Sequence, residues 1–463
     1  MWTWLKNGLL LLKNLNPQMN NRRAEKIFWI SFALASPLVP ILFYFWGNWY
    51  SFFHSYSLGM VMGIIGYVYF FNVLIIGSRI RYFDGVFGHD RVLLFHGYMA
   101  LSAMLAVVAH FLFKQIYGFD LTIQTLLGIT ASALFLIVII LTLLFMVNII
   151  PFWPGLMRTL KKEVEKRLRT DYSKVKFFHN CSSVAAFLAA IHLLLASSTQ
   201  ENNWRIIILS VWAFTGVSFY FYHKFVRIVV SAKLLTVTDV KKLSSDIVEI
   251  RMHHNKDTAI KYRAGQFGYF RIISKMFSKE EHPFTISSQP GTDELSITVK
   301  NLGDYTSKLH NVQAGTTVHF DGPYGVFTPK QDGKHHIFIA GGIGITPFHS
   351  IISEWDFADI KTPLTLIWST RTAEEMVYRD FFTRIESKNS MFMFVPIITR
   401  SAKSITGGRR IDKTVLDPLL RKKEIKNTAV YVCGPDLMRK SVIKDLKSSG
   451  IVSKNIHWEK FSF

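Results

Sequence analysis

The chain has 463 residues, 49% of them apolar and only 19% charged, with a formal net charge of +22. That is enough chain for a membrane domain and one or two soluble domains, and too apolar an average for one ordinary soluble fold. Part of the positive excess lies in loops between apolar runs, where retention on the cytoplasmic side of a bilayer accounts for it better than nucleic-acid binding does.

The first stretch, residues 1–26, carries WTWLKNGLLLL and basic residues that include Lys6, Lys13, Arg22 and Arg23. It is too short to span and lacks a small-residue cleavage site, so it reads as a cytoplasmic interfacial segment. Residues 27–232 hold six apolar runs near 27–46, 57–77, 92–113, 124–147, 177–196 and 204–225. Each is long enough to cross a hydrocarbon layer of about 30 Å. Arg79, Arg81 and Arg91 follow the second run, and the loop after the fourth carries eight basic residues from Arg158 to Lys176. The alternate loops carry almost none beyond Lys114. Both termini are therefore expected in the cytoplasm, with the chain multi-pass in a plasma membrane. Within the basic loop, Leu156, Leu160, Val164 and Leu168 make one helical stripe. It suits a membrane surface or the soluble half, and equally a solvated connector.

Four histidines stand out inside these spans. His96 and His110 lie 14 residues apart on the third, His179 and His192 13 apart on the fifth. Ionisable groups in hydrocarbon are costly and mark function. With both spans running outward, His96 and His179 share the inner level, and His110 and His192 the outer. Two such pairs would ligate two stacked haems, b-type because no C-x-x-C-H is present. Cys181 and Cys433 are too few for an iron–sulfur cluster. At about 100° per residue, 14 residues return to within ~40° of one helix face, whereas 13 miss it by ~140°. A π-bulge or a frayed start near His179 is expected to absorb the misfit.

From residue 233 the pattern changes to short alternating runs (DIVEIRM, GQFGYFRI, LSITVK, TTVHFDGPYG), expected to form an antiparallel barrel over 233–330. Within it HPFTISS offers an aromatic surface at Phe284 and a hydroxyl at Thr285 for a flavin, and Gly303 with Thr306 of GDYT suits phosphate oxygens. Strands alternating with helical patterns follow over 331–463, the mark of a parallel sheet. There IAGGIGITPF places Gly342 and Gly344 after a strand, with Thr346 as N-cap and Pro347 as first helical residue, a cradle for pyrophosphate. Arg371, where an acidic residue would favour NAD, suits the 2′-phosphate of NADP, with Arg400, Arg409 and Arg410 in later loops. Cys433, before Gly434 and Pro435, either packs as a small buried residue or sits near a nicotinamide.

Taken together, the histidine quartet, HPFT, GDYT, DGPYG, GGIGITPF, CGP and the aromatic C-terminus resemble the NADPH oxidase and ferric reductase superfamily. The resemblance covers nearly all of 27–463 and implies a multi-domain membrane protein: an all-α bundle of six transmembrane helices, an antiparallel β-barrel FAD domain and an α/β nucleotide-binding domain. It implies that Phe284 packs by the isoalloxazine and Thr285 bonds it, with His282 and Pro283 completing that motif. Lys300, where the family often has arginine, and Thr306 would contact the FAD diphosphate. Gly342, Gly344 and Thr346 would line the dinucleotide phosphates, Cys433 would sit near the hydride path, and Phe463, or Phe461, would stack over the flavin. The implied cofactors are FAD, two b-type haems and NADPH, or NADH, as donor.

The 14 and 13 intervals lean toward the oxidases, since fungal-type ferric reductases tend to repeat 14. Against that, Lys114 stands where animal oxidases carry a histidine near the oxygen site. The expected activity is electron transfer from NADPH through FAD and haems to dioxygen, giving superoxide. The alternatives are a ferric- or cupric-chelate reductase, or an electron-donating membrane component for an outside protein. No nucleic-acid partner and no motif for a regulatory partner is expected.

Overall fold

Long apolar stretches with little charge leave the backbone no partner but itself, and here they fold as helices. The computed structural model describes residues 21–46, 51–118, 120–145, 163, 172–227, 230, 233–254, 260–278, 280–400, 410–421 and 425–460. Residues 1–20, most of the basic loop with its apolar stripe, Arg409, Phe461 and Phe463 lie outside them. The chain divides into two units, Met1–Arg227 and Ile228–Phe463.

Among the described residues of the first unit, six helices are long and apolar enough to cross a membrane: Arg23–Phe45, Ser55–Gly77, His89–Ile116, Ile123–Leu144, Phe177–Leu194 and Asn203–Val226. The first bends at Ser36–Pro37, where proline lacks the N–H that would continue the ladder. Ser36 Oγ there donates to Ala33 O at 2.8 Å and accepts Asn72 Nδ2–H at 2.8 Å, so the second helix fills the gap the bend opens. The second helix is the most enclosed, with Val68 and Phe71 fully buried and Phe70 stacked on Phe135 at 3.6 Å.

The distortion expected between His179 and His192 is present, but not as a π-bulge. Helix Tyr172–Asn180 ends at Cys181, and a new helix, Ser182–Leu194, begins. Cys181 N–H bonds Phe178 O at 2.9 Å and Val184 N–H bonds Cys181 O at 3.0 Å, both i→i−3. Such a turn advances about 120° per residue against about 100° in an α-helix, so over three residues it adds about 60° in the sense, though not the full ~140°, that a 13-residue interval lacks. A π-bulge turns the chain the other way. The π-turn of this unit lies elsewhere, at Tyr222–Val226.

The second unit begins with strands β1 (Lys233–Lys242), β2 (Ile247–His254), β3 (Phe267–Ile272), β4 (His282–Thr285), β5 (Glu294–Lys300) and β6 (Thr317–Tyr324). They form an antiparallel sheet in the order β4-β3-β6-β1-β2-β5. The bridge Ile286↔Ile297 joins its two ends and nearly closes a barrel. Leu235, Ile250, Met252, Phe270, Ile286 and Phe320 fill its interior.

Strands β7 (His335–Gly341), β8 (Leu364–Thr370), β9 (Phe392–Ile398), β10 (Thr428–Gly434) and β11 (Ile456–Lys460) then form a parallel sheet ordered β11-β10-β7-β8-β9. Its strands are near-continuous apolar runs because helices cover both faces. The order steps from β7 outward in both directions, so the crevice at the carboxyl ends of β7 and β10 is where such sheets bind ligands.

Candidate functional site

The membrane-type helices bring the four histidines together in the expected pairs. The His96 and His179 ring centres are 6.1 Å apart, and those of His110 and His192 6.4 Å. Two imidazoles on one metal, each bonded at about 2 Å, set ring centres roughly 6 Å apart. Three rings are oriented by the backbone. Nδ1–H of His96 meets Val73 O at 3.1 Å, that of His110 meets Gly59 O at 2.7 Å, and that of His192 meets Gln124 O at 2.6 Å. A carbonyl acceptor fixes the proton on Nδ1 and leaves the Nε2 lone pair for a metal.

Each of these three rings also lies against a glycine of a neighbouring helix. A Cβ on Gly77 would stand 3.0 Å from His96, on Gly63 2.8 Å from His110, and on Gly128 2.7 Å from His192. Among the described residues no group of three or more His, Cys, Asp or Glu is disposed to hold a metal ion. A haem iron, already held by four pyrrole nitrogens, needs only the two imidazoles each pair supplies.

The remaining membrane histidines have local roles. His54 Nδ1 caps the second helix by accepting Tyr56 N–H at 3.3 Å, His89 meets Asp84 at 3.2 Å, and His223 stacks on Phe219. Lys114 lies one turn beyond His110, half-buried, its ammonium 4.4 Å above the Tyr56 ring.

In the barrel, β4 pairs with β3, setting Phe284 opposite Gly268 and Thr285 opposite Phe267. Pro283 sits opposite Tyr269. The His282 ring stacks on Tyr305 at 3.5 Å, and Phe284 lies parallel to the same tyrosine at 6.5 Å. Tyr305, inside GDYT, is thus part of the aromatic surface, and sequence reasoning passed over it. Burial pushes its hydroxyl up to about 12, so it stays neutral.

Thr306 Oγ1 accepts the N–H of Leu302 at 2.9 Å and of Gly303 at 3.0 Å, and donates to Gly303 O. Its hydroxyl therefore shapes the turn that opens the 3-10 helix Thr306–Asn311. Lys300, expected at a diphosphate, pairs with Glu375 of the α/β domain at 2.9 Å, both nearly enclosed.

After β7 the chain makes a 3-10 turn, Gly342–Ile345, and runs directly into the helix Thr346–Phe357. Thr346 is consequently the first helical residue and not its N-cap, because the turn already carries helical dihedrals through Ile345; Thr346 Oγ1 donates to Ile343 O at 3.1 Å. Pro347, expected as the first helical residue, is thereby the second, still in the first turn, where its missing N–H costs no helix hydrogen bond.

Gly344 meets the end of β10 backbone to backbone. A Cβ there would lie 2.5 Å from Cys433 O. Gly434 approaches Gly341 in the same way, and Pro435 caps the helix Asp436–Ser448. The Cys433 side chain is fully buried in the core. Arg371 is exposed at the carboxyl end of β8, its carbonyl accepting Arg400 N–H at 3.0 Å.

A seam of hydrogen bonds ties the barrel to the α/β domain beside these motifs. His349 Nδ1–H donates to Ser287 O at 2.9 Å, and Ser350 Oγ–H donates to Ser288 O at 2.6 Å. Tyr378 stacks on His349 at 3.9 Å and shares a 2.6 Å hydrogen bond with Thr298. Desolvation pushes His349 down to about 4. The unfolded chain protonates near 6.5, so between pH 6.5 and 4 it binds the extra proton and the folded state does not. Stability contributed by neutral His349 is then present above pH 6.5 and lost as pH falls, by roughly 3 kcal/mol when complete. We expect the thermal midpoint of the soluble half to fall over this window, and the fall to be shallower in His349→Phe. Equal slopes in the two proteins would remove His349 as the cause.

Residues 232–328 match the family model described as an FAD-binding domain, and residues 338–444 that described as an oxidoreductase NAD-binding domain. The phenol hydroxylase P5 protein of Acinetobacter pittii is 30% identical over 237 residues, 49% of this chain and 64% of that protein. A superoxide-generating NADPH oxidase heavy chain of Dictyostelium discoideum is 24% identical over 334 residues, 61% of this chain and 62% of that protein. The second match covers more of the chain than the soluble half comprises, so it reaches into the helical half. Among solved structures, a ferredoxin NADP+ reductase from Neisseria gonorrhoeae with bound FAD and NADP aligns at TM-score 0.43 and 22% identity, over 50% of this chain and 98% of that one. The chain spans about half to four fifths of the length of the curated relatives it matches. The soluble half is an FAD-containing, NAD(P)H-dependent oxidoreductase module that follows a region of membrane-type helices.

Proposed function

We propose that the protein carries electrons from cytoplasmic NADPH across a lipid bilayer to a small acceptor on the far side, in the first place dioxygen. The observation that carries this reading is the presence, in one chain with the reductase module, of two facing histidine pairs at two levels of a helical bundle. When bound, FAD would exchange a two-electron hydride for single electrons, and two b-type haems would relay those one at a time. The balance is one NADPH and two dioxygen molecules to NADP+, a proton and two superoxide ions.

The chain's own residues hold and orient. His96 with His179 would hold the inner haem and His110 with His192 the outer, their rings aimed by the carbonyls of Val73, Gly59 and Gln124. Phe284 and Tyr305 would present an aromatic surface to the flavin, and Thr285 a hydroxyl. Backbone N–H groups at Gly344 and Thr346 would receive the pyrophosphate at a helix start, and Cys433, Gly434 and Pro435 would border the nicotinamide. Phe463 would cover the flavin in its absence. The basic loops keep the module cytoplasmic. The relative from Dictyostelium discoideum, by its name, generates superoxide, which supports dioxygen as the acceptor. A second reading keeps the path and replaces dioxygen by an anionic ferric chelate; Lys114, a cation one turn beyond His110, favours it.

The deciding experiment is purified protein with FAD, haem and NADPH, with cytochrome c reduction followed with and without superoxide dismutase. Inhibition by the dismutase supports the oxidase, and an unchanged rate rejects it. Arg371→Ala is expected to raise the KM for NADPH about tenfold or more, since a charge-assisted contact contributes ~1.5–3 kcal/mol, and to leave that for NADH within about twofold. Equal effects on both nucleotides would remove the 2′-phosphate role.

A further inference from the structure

The two ligand-binding motifs of the module lie on different domains, and hydride transfer between them depends on how the domains are registered. The segment just past Thr285 and the helix just past Thr346 are fastened side by side. Ser287 O accepts from His349 and Ser288 O accepts from Ser350, at 2.9 Å and 2.6 Å. Behind them a closed set of hydroxyls fixes Ser287 itself: its Oγ lies 2.9 Å from Ser296 Oγ and 3.1 Å from Thr298 Oγ1. Thr298 in turn reaches Tyr378, whose ring backs His349. Ser287 and Ser350 are fully buried. Ser288 is only three residues past Thr285, and Ser350 four past Thr346. A shift at this fastening therefore moves the flavin strand against the nucleotide helix with little slack.

We propose that His349 is a positioning residue for hydride transfer: its Nδ1–H bond to Ser287 O sets the register between the flavin strand and the nucleotide helix. It touches neither reactant. Its effect is on the distance over which the hydride, two electrons and one proton together, passes from nicotinamide to flavin. A displacement of about 1 Å costs up to 100-fold in such a step. The proposal rests on the reading that NADPH reduces flavin in this module.

The test is anaerobic stopped-flow bleaching of the flavin by NADPH in the full-length, FAD-loaded protein. His349→Phe keeps a ring on Tyr378 and loses the donor; His349→Asn loses the ring and keeps a donor close to the position of Nδ1. We expect His349→Phe to lower the limiting rate about tenfold or more, with FAD content and half-saturating NADPH within about twofold, and His349→Asn to stay within about threefold of the unaltered protein. A limiting rate in His349→Phe within twofold of the unaltered protein overturns the proposal. Should His349→Phe lose its FAD, His349→Asn decides: a near-normal rate supports the donor, and a tenfold loss with the donor retained overturns it. If the unaltered protein is bleached by dithionite but not by NADPH, the underlying reading fails instead.

Discussion

If the proposed reading holds and the unaltered protein binds two haem equivalents, replacing His192 by alanine is expected to leave the purified protein with one, while NADPH still bleaches the flavin. The ring sits at a site built around it: Nδ1–H on Gln124 O at 2.6 Å, and Gly128 so close that a Cβ there would stand 2.7 Å from the imidazole. Alanine would leave His110 as a single protein ligand. No other described histidine can take over. His54, near the same end of the bundle, already turns Nδ1 to the Tyr56 N–H at 3.3 Å. Reduction of an outside acceptor should fall by about 100-fold or more, since removing even an outer-shell partner of a metal ligand costs 10–100-fold. Gly128→Ala should act in the same direction and more weakly, by pushing the ring and not removing it. The pairing makes a sharper demand. His110→Ala should erase the same haem signal as His192→Ala, and His96→Ala and His179→Ala should erase the other. A His192→Ala protein with both signals intact, by pyridine haemochrome and low-temperature spectra, would end the assignment.

Much of this architecture is legible in residue order because the governing effects are local or periodic. A run of some twenty apolar residues has no alternative to a helix, and period-two alternation with glycine turns has few alternatives to a barrel. The histidine quartet shows because an ionisable group in such a run is conspicuous. What escapes sequence reasoning is whatever depends on a partner far along the chain. Nothing in the order of residues says that Gly63, Gly77 and Gly128 make room for three of the four rings, although Gly63 and Gly77 repeat the 14-residue interval of His96 and His110.

Nothing near Lys300 in the sequence points to Glu375, 75 residues on, as its ion-pair partner. His349 and Tyr378 read as ordinary members of a helix and a loop, and their role appears only when the barrel is folded against them. The 13-residue interval is the instructive case. The need for a distortion follows from helix geometry alone. Its sense does not, and the chain meets it at Cys181 with a tight turn that adds rotation.

The glycines of the candidate site separate what space demands from what conformation demands, and Gly344→Ala is expected to be the severe change among them. A Cβ at Gly344 would lie 2.5 Å from Cys433 O, 2.8 Å from Cys433 C and 3.0 Å from Gly434 Cα. All three are backbone atoms at the end of β10, a strand hydrogen-bonded on both sides and buried but for Tyr431, so no side chain can swing away. The turn must lift off β10, carrying the start of the helix Thr346–Phe357 with it. Reduction of flavin by NADPH should then fall by about 100-fold or more, as expected for a binding site moved by an ångström, while FAD stays bound to the barrel and dithionite still reduces it. Gly342 is different: its φ of +55° disfavours a side chain, but a Cβ there meets nothing within 4 Å. Gly342→Ala should cost about 1–2 kcal/mol of backbone strain and no more than about tenfold in rate. Gly303, with open space and no positive φ, should accept alanine with the rate unchanged within about twofold. Three glycines in two turns thus carry three distinct expectations for one measurement, anaerobic flavin bleaching by NADPH. A Gly344→Ala protein that is bleached as fast as the unaltered one would mean that the helix start does not bear on β10 when nucleotide binds, and the pyrophosphate would have to be placed elsewhere.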